Sequence, residues 1–142
     1  MVYEDRLESD IEKKAKKSIG KLVTAVDIDT SILCTIDYEY PKRRIEVEMS
    51  TDEFTCVCPF SGLPDFALIT IKYVPRKRII EMKSLKYYLY SFRNVKIYNE
   101  HVVNKMMDDL VKVLKPFSME ITGSFTVRGG VKNNVKAVYR AK

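Results

Sequence analysis

One histidine, His101, is all the imidazole this 142-residue chain has, and its three cysteines, Cys34, Cys56 and Cys58, form no paired spacing. A structural zinc site needs two separated ligand pairs, and a hydrolytic one needs a histidine-rich set. A Cys-x-Cys pair with a single histidine supplies neither, so no metal is expected. An odd number of cysteines likewise excludes a disulfide framework, and free thiols fit a reducing cytoplasm. No apolar run nears the roughly 20 residues of a membrane span. The residues after Met1 are charged where a signal peptide would carry an apolar core. Internal repeats and low-complexity stretches are absent too. A soluble cytoplasmic protein is the expectation.

Against those absences stand a hydrophobic content of 46% and a charged content of 31%, the balance of a globular protein long enough for one real core. The net charge of +6 is concentrated in 13–21, at Arg76, Lys77 and Arg78, and in 132–142. Such an excess attracts a phosphorylated cofactor or a nucleic acid. Residues 1–25 read as a charged lead in which Leu7, Ile11 and Ala15, at four-residue spacing, allow a weak amphipathic helix. Residues 26–142 read as a single domain.

Two segments carry chemistry. In the first, Phe54 to Phe66, a turn is dictated by Pro59, Ser61, Gly62 and Pro64, because proline fixes φ and glycine admits positive φ. That turn can bring Cys58 and Asp65 to the same space. A thiolate there would be a nucleophile for an electrophilic carbon, and the acid could protonate the charge that develops. Free cysteine is also among the most buried residue types, so Cys58 fits a small core position as well. Cys56 is a rival nucleophile, since residues two apart share a face of an extended segment.

The second segment runs from Glu81 to Asn94. Leu85, Tyr88, Leu89 and Phe92 stand at helical spacing and predict a core-facing stripe. Lys83, Lys86, Tyr90 and Arg93 form a separate stripe, whose three cations can hold phosphates or simply face solvent.

Elsewhere the periodicities predict alternating strands and a second helix. Cys34 to Tyr40 and Ile45 to Met49 read as two half-buried strands joined near Pro41-Lys42, and Ile69 to Tyr73 as a third. Val103, Met106, Met107, Leu110 and Leu114 predict a helix ending near Pro116. Met119 to Val127, with Gly123 as a bulge, and Val135 to Tyr139 then pair around Gly129-Gly130. The expected order is strands, two helices, hairpin.

The two chemical segments together resemble the NADPH-dependent 7-cyano-7-deazaguanine reductases of queuosine biosynthesis, a nitrile-reducing branch of the tunnelling fold. Cys58 to Asp65 matches that family's Cys-Pro-x-[Thr/Ser]-Gly-x-Pro-Asp loop. Glu81 to Arg93 matches its Glu-[Ser/Leu]-Lys-[Ser/Ala]-hydrophobic-Lys-[Leu/Tyr]-aromatic signature and the Ser-[Phe/Tyr]-Arg that follows, except at Met82. The likeness extends from about Ile32 onward.

The resemblance implies an α+β tunnelling fold: an antiparallel sheet, two helices packed on one face, and a barrel completed by oligomerisation with active sites at subunit interfaces. It implies reduction of the nitrile of 7-cyano-7-deazaguanine to an aminomethyl group by two NADPH. Cys58 would attack the nitrile carbon to give a thioimidate, and Asp65 would protonate the nitrogen. Ile80, Glu81, Met82, Asn99 and Glu100 would hold the base, Glu100 as its anchor. Lys83, Ser84, Lys86, Tyr87 and Arg93 would serve the cofactor. Asn99 stands where the family usually has histidine, and His101 lies on the other side of Glu100. An amide can hydrogen-bond a substrate but cannot exchange a proton near neutral pH, so His101 either compensates or sits solvated near a helix start.

Two other readings have distinct consequences. A related enzyme adds ammonia to the same nitrile already placed in tRNA, making archaeosine with the same cysteine and acid and without NADPH. A nucleobase-binding module would leave Cys58 and Asp65 idle. The cation-bearing stretch at Lys83, Ser84 and Lys86 favours the reductase.

Overall fold

The computed structural model describes residues 23–142, so most of the charged lead, with Leu7, Ile11 and Ala15, lies outside the described residues. The centre of the fold is a hairpin of two eleven-residue strands, β3 (Val47–Val57) and β4 (Pro64–Val74). Their antiparallel register runs from Val47 opposite Tyr73 to Val57 opposite Pro64. Along β4 the side chains Asp65, Ala67, Ile69, Ile71 and Tyr73 are buried on one face, while Phe66 and Leu68 stand exposed on the other. Strand alternation produces that division. β4 starts earlier than the Ile69 expected from periodicity, and the proline at its first position is tolerated because no earlier strand residue needs its missing N–H.

Two more strands, β7 (Ser118–Arg128) and β8 (Val131–Arg140), continue the sheet beyond β4, and both pair antiparallel. On the other side two short strands, β1 (Val23–Thr24) and β6 (Val95–Lys96), join in parallel, giving the order β1-β6-β3-β4-β7-β8. The sheet is therefore mixed, antiparallel only through its four long strands, and open at both edges in the single chain.

The stretch around Cys34 to Tyr40 departs from expectation. β2 (Thr35–Asp37) pairs with β5 (Arg78–Ile80) in a separate two-stranded sheet instead of forming a hairpin with β3. Tyr38 N–H donates to Lys77 O at 2.8 Å, which prolongs that pairing. Burial departs as well: Cys34, Ile36, Tyr40 and Ile45, expected on the buried face, are exposed, the first strand is only three residues long, and the second begins at Val47. Alternation says nothing of which strand lies beside a segment, and a two-stranded sheet outside the main sheet has no core to cover its apolar side.

Helix α1 (Met82–Tyr90) and helix α2 (Asn99–Leu114) both lie on the buried face. α1 inserts Leu85 and Tyr88 into the core and is followed by a 3-10 turn, Ser91–Asn94, that buries Phe92 against Phe54 with ring centroids 5.4 Å apart. α2 buries Val102, Val103, Met106, Met107, Leu110 and Leu114, each such aliphatic contributing about 1.5–3 kcal/mol. It ends at Lys115, left-handed at φ 46°, immediately before Pro116. Gly123 is not a bulge, for the register runs through it unbroken. A Cβ there would come within 2.8 Å of the Phe125 ring and 3.2 Å of Val103, so the glycine lets α2 lie close on the sheet. Real bulges fall between Thr51 and Phe54 and between Phe125 and Arg128.

One polar cluster joins the helices. Tyr88 hydroxyl donates to Asp109 Oδ2 at 2.6 Å, and Lys105 Nζ meets Asp109 Oδ1 at 2.8 Å. Burial, then the bond to Asp109, raises the Tyr88 phenol far above its ordinary value, keeping it a donor.

Candidate active site

The β3–β4 hairpin turns at residues 58–63. Cys58 N–H donates to Leu63 O at 2.8 Å and Gly62 N–H to Cys58 O at 2.9 Å, with Gly62 at φ 71°. An L side chain at that φ would be strained, so the glycine permits the turn. Closing the hairpin this tightly places Asp65 on the strand instead of in the loop, directly opposite Cys56. Asp65 O accepts from Thr55 Oγ1 at 2.8 Å, which fixes the strand end.

The two cysteines differ sharply in this setting. Cys56 is 0% exposed; burial first, then the nearby Asp65 and Cys58 charges, push its thiol up to about 12, with Arg128 opposing. Cys58, at the turn, is partly exposed. A hydrogen bond from the Ser61 side chain, then the Ser61 and Phe60 backbone N–H groups, lower its thiol from the ordinary value, against opposing contributions from burial and Asp65. The turn is thus a small donor nest for a thiolate, and Cys58 alone of the pair is both ionisable and reachable.

The same end of the sheet carries the start of α2. Ile97 N–H donates to Val57 O at 3.1 Å, so the chain enters α2 beside the Cys58 turn. Asn99 and Glu100 open that helix; Glu100 Oε1 accepts from Asn133 Nδ2 at 3.1 Å, and Asn99 Oδ1 is buried without a protein donor among the described residues. His101 is exposed, its ring edge-on to Tyr98 at 6.0 Å. Cys58, Asp65, Asn99 and Glu100 are therefore gathered at one end.

Ile80, Glu81 and Met82 are not with them. Ile80 N–H donates to the Tyr73 hydroxyl at 3.0 Å, and Tyr73 lies eight residues along β4 from Asp65, roughly 26 Å at about 3.3 Å per residue. Glu81 caps α1, its carboxylate accepting from Lys83 N–H at 2.8 Å and Ser84 N–H at 2.7 Å. Those two donors, Lys83 N–H first, lower its pKa. Ser84 is buried; its hydroxyl accepts from Cys34 N–H at 3.0 Å and donates to Glu81 O at 2.8 Å, so it secures the helix start against the chain before β2. Lys83, Lys86 and Tyr90 line a cavity of about 390 Å³ between α1 and β3, whose walls include Met49, Ile69 and Leu89. Tyr87 and Arg93 are exposed, Lys86 lying over the Tyr87 ring and Arg93 over the Tyr90 ring.

With the geometry in place, the comparisons are specific. The family profile described as QueF-like protein matches residues 64–142. A protein from Caldicellulosiruptor bescii named NADPH-dependent 7-cyano-7-deazaguanine reductase is 54% identical over 112 residues, covering 79% of this chain and 86% of its own. The chain belongs to the QueF-like family. A protein of the same name from Caldanaerobacter subterraneus is 53% identical, covering 79% of this chain and 84% of its own. Among solved structures, the apo crystal structure of an archaeosine synthase QueF-Like covers 70% of this chain and 95% of its own with a TM-score of 0.61 and 19% identity. At that identity it shows the fold alone, which is the tunnelling fold expected.

Two contacts at the Cys58 end were invisible in the sequence. Arg128 Nε pairs with Asp65 Oδ1 at 3.1 Å, and its Nη2 donates to Pro64 O. Asn133 holds Glu100. Both depend on strand register near the Gly129-Gly130 turn, and the only sequence signal was the turn itself.

Proposed function

We propose that this protein reduces the nitrile of 7-cyano-7-deazaguanine to an aminomethyl group with two NADPH, through a thioimidate on Cys58, in the queuosine route of tRNA modification. The observation that carries the site is the contrast between the cysteines: one buried and held as a thiol, the other reachable and favoured as a thiolate. The names of the relatives support the activity.

Cys58 Sγ adds to the nitrile carbon as one C–N π bond opens, and the nitrogen takes a proton from Asp65. A nitrile is a poor hydride acceptor and a protonated thioimidate a better one, so covalent capture prepares the reduction. Glu100 and the unpartnered Asn99 Oδ1 offer acceptors to the base's N–H groups; for Asn99 a substrate donor would remove the cost of a buried orphan. Lys83, Lys86, Tyr87 and Arg93 fit a phosphorylated dinucleotide: among the described residues no carboxylate pairs with Lys86 or Arg93, and the adjoining apolar cavity suits a planar ring. NADPH supplies the hydride when bound. Ser84 acts on that region by fixing the start of α1.

The catalytic unit is a homo-oligomer. One chain separates Cys58 and Asp65 from Ile80, Glu81 and Met82 by most of the length of β4, so a complete site needs the Glu81 end of a second copy. Phe60, 92% exposed beside Cys58, and Met82, 64% exposed at the other end, suit a head-to-tail contact, which closes into rings. Residues 26–142 form the catalytic domain with the preceding residues as a lead. The reducing cytoplasm keeps Cys58 free.

The test is NADPH oxidation with the free base, followed at the reduced-nicotinamide band. We expect turnover with NADPH and little with NADH, and Lys83→Ala or Lys86→Ala should raise the NADPH requirement while the adduct still forms. No NADPH consumption, with ammonia incorporated into nitrile-bearing tRNA, would establish the archaeosine reading instead.

A further inference from the structure

We infer that Arg128 is a positioning residue for Asp65: it grips one carboxyl oxygen and reserves the other for proton transfer. The inference rests on the reading of Cys58 and Asp65 as the adding pair.

Strand alternation would send Arg128 to the wrong face. Phe125 is buried on the helix-covered side, so an unbroken β7 would put residue 127 on that side and residue 128 on the opposite one. The bulge reverses this. Phe125 is opposite Asn133 but Arg128 is opposite Val131, three residues of β7 advancing against two of β8. The extra residue re-aims the side chain. Arg128 thereby shares the face of Phe125, Asn133 and Asp65.

Its fork makes two contacts there. Nε meets Asp65 Oδ1 at 3.1 Å, and Nη2 donates to the carbonyl of Pro64, the preceding residue. The guanidinium thus fixes the carboxyl relative to the backbone that carries it, which a point charge on a flexible stem would do poorly. Asp65 Oδ2 has no protein partner among the described residues. Asp65 is 9% exposed and stands directly opposite Cys56, two residues from Cys58, at the closed end of the hairpin.

In the addition step the proton leaving the Cys58 thiol passes to Oδ2 and from there to the nitrile nitrogen. The S–C bond forms, one C–N π bond opens, and Asp65 ends as it began, a carboxylate facing Arg128. Geometry is the contribution: Oδ1 anchored, Oδ2 available.

The experiment is pre-steady-state adduct formation by intact mass with the free base and no NADPH, which isolates addition from reduction. Arg128→Gln should slow the adduct about ten- to a hundredfold, the range for losing a charge-assisted hydrogen bond in a barrier. Substrate affinity should stay within about twofold, measured by calorimetry with Cys58→Ala as the common background. Arg128→Lys keeps the charge without the fork and should recover only part of the rate. If Arg128→Gln does not fold, Arg128→Lys still reads the proposal, with at least a threefold slowing expected. An adduct rate unchanged in both variants, or a loss of affinity matching the loss of rate, overturns the positioning role. No adduct in the wild type overturns the covalent reading beneath it.

Discussion

The two ends of the β3–β4 hairpin differ in what they leave unfinished. At the Cys58 end the reactive groups stand together: a partly exposed thiol in a donor nest, a buried carboxyl opposite Cys56, and an arginine holding that carboxyl. At the Glu81 end the polar groups are occupied with structure, since Glu81 caps α1 and Ser84 ties it to Cys34. What that end presents outward is Met82, Lys83, Lys86 and Tyr87. On the proposed reading one end reacts and the other selects, and a single chain holds them most of the length of β4 apart.

Mixing two dead variants gives the largest expected effect. Cys58→Ala should abolish turnover and the adduct. A second variant, Lys83→Ala combined with Lys86→Ala, damages only the other end. Co-refolded from an equimolar mixture of unfolded chains, the two should restore activity towards about a quarter of the wild-type level, because random head-to-tail pairing makes that share of interfaces intact. Activity is read as NADPH oxidation. No recovery, in a mixture shown by native mass spectrometry to contain both chains, would break the shared-site picture.

Much of the reacting end was legible beforehand because its signals are local. Pro59, Ser61, Gly62 and Pro64 encode a turn within a few residues, and a turn of that length brings position 58 near 65 whatever surrounds it. The helical spacing of Leu85, Tyr88 and Phe92 likewise marks the core face of α1 and of the 3-10 turn that follows it. What escaped was non-local. The partner of Thr35–Asp37 is β5, more than forty residues on, and nothing in an alternating pattern names its neighbour. Arg128 reaches Asp65 only through a bulge that exists in the pairing of β7 with β8. In a strand pattern glycine signals both a bulge and a close approach, and at Gly123 only the Phe125 ring and Val103 overhead show it to be the second.

A smaller effect probes the donor nest itself. Ser61→Ala removes the hydroxyl hydrogen bond that contributes most to lowering the Cys58 thiol. With the folded pKa depressed, thiolate is present at lower pH than for an ordinary cysteine; losing the hydroxyl moves the midpoint up. The pH at which alkylation of Cys58 by iodoacetamide reaches half its limiting rate should rise, and the alkylation rate at pH 7 should fall, because less of the thiol is ionised below the midpoint. At a pH above both midpoints the two proteins should converge. A uniform loss at every pH would mean that Ser61 shapes the turn instead of the charge.

The smallest effect on activity, and the sharpest comparison within one strand, comes from Cys56→Ala. Cys56 lies two residues from Cys58 on the helix-covered face, wholly buried, and its thiol is raised to about 12. At neutral pH almost none of it is thiolate, so it cannot compete for the nitrile. Removing its sulfur should leave the adduct rate and NADPH turnover within about twofold of wild type. The cost should appear in stability instead: Cys56 belongs to the core with Phe54, Ala67 and Ile97, and losing a buried sulfur leaves a small cavity worth about 1 kcal/mol. Chemical denaturation would show the midpoint shift while intact mass shows the adduct unchanged on Cys58. An adduct that maps by proteolysis to Cys56 in the wild type, or an active Cys58→Ala, would reverse the roles of the two thiols and with them the meaning of the turn.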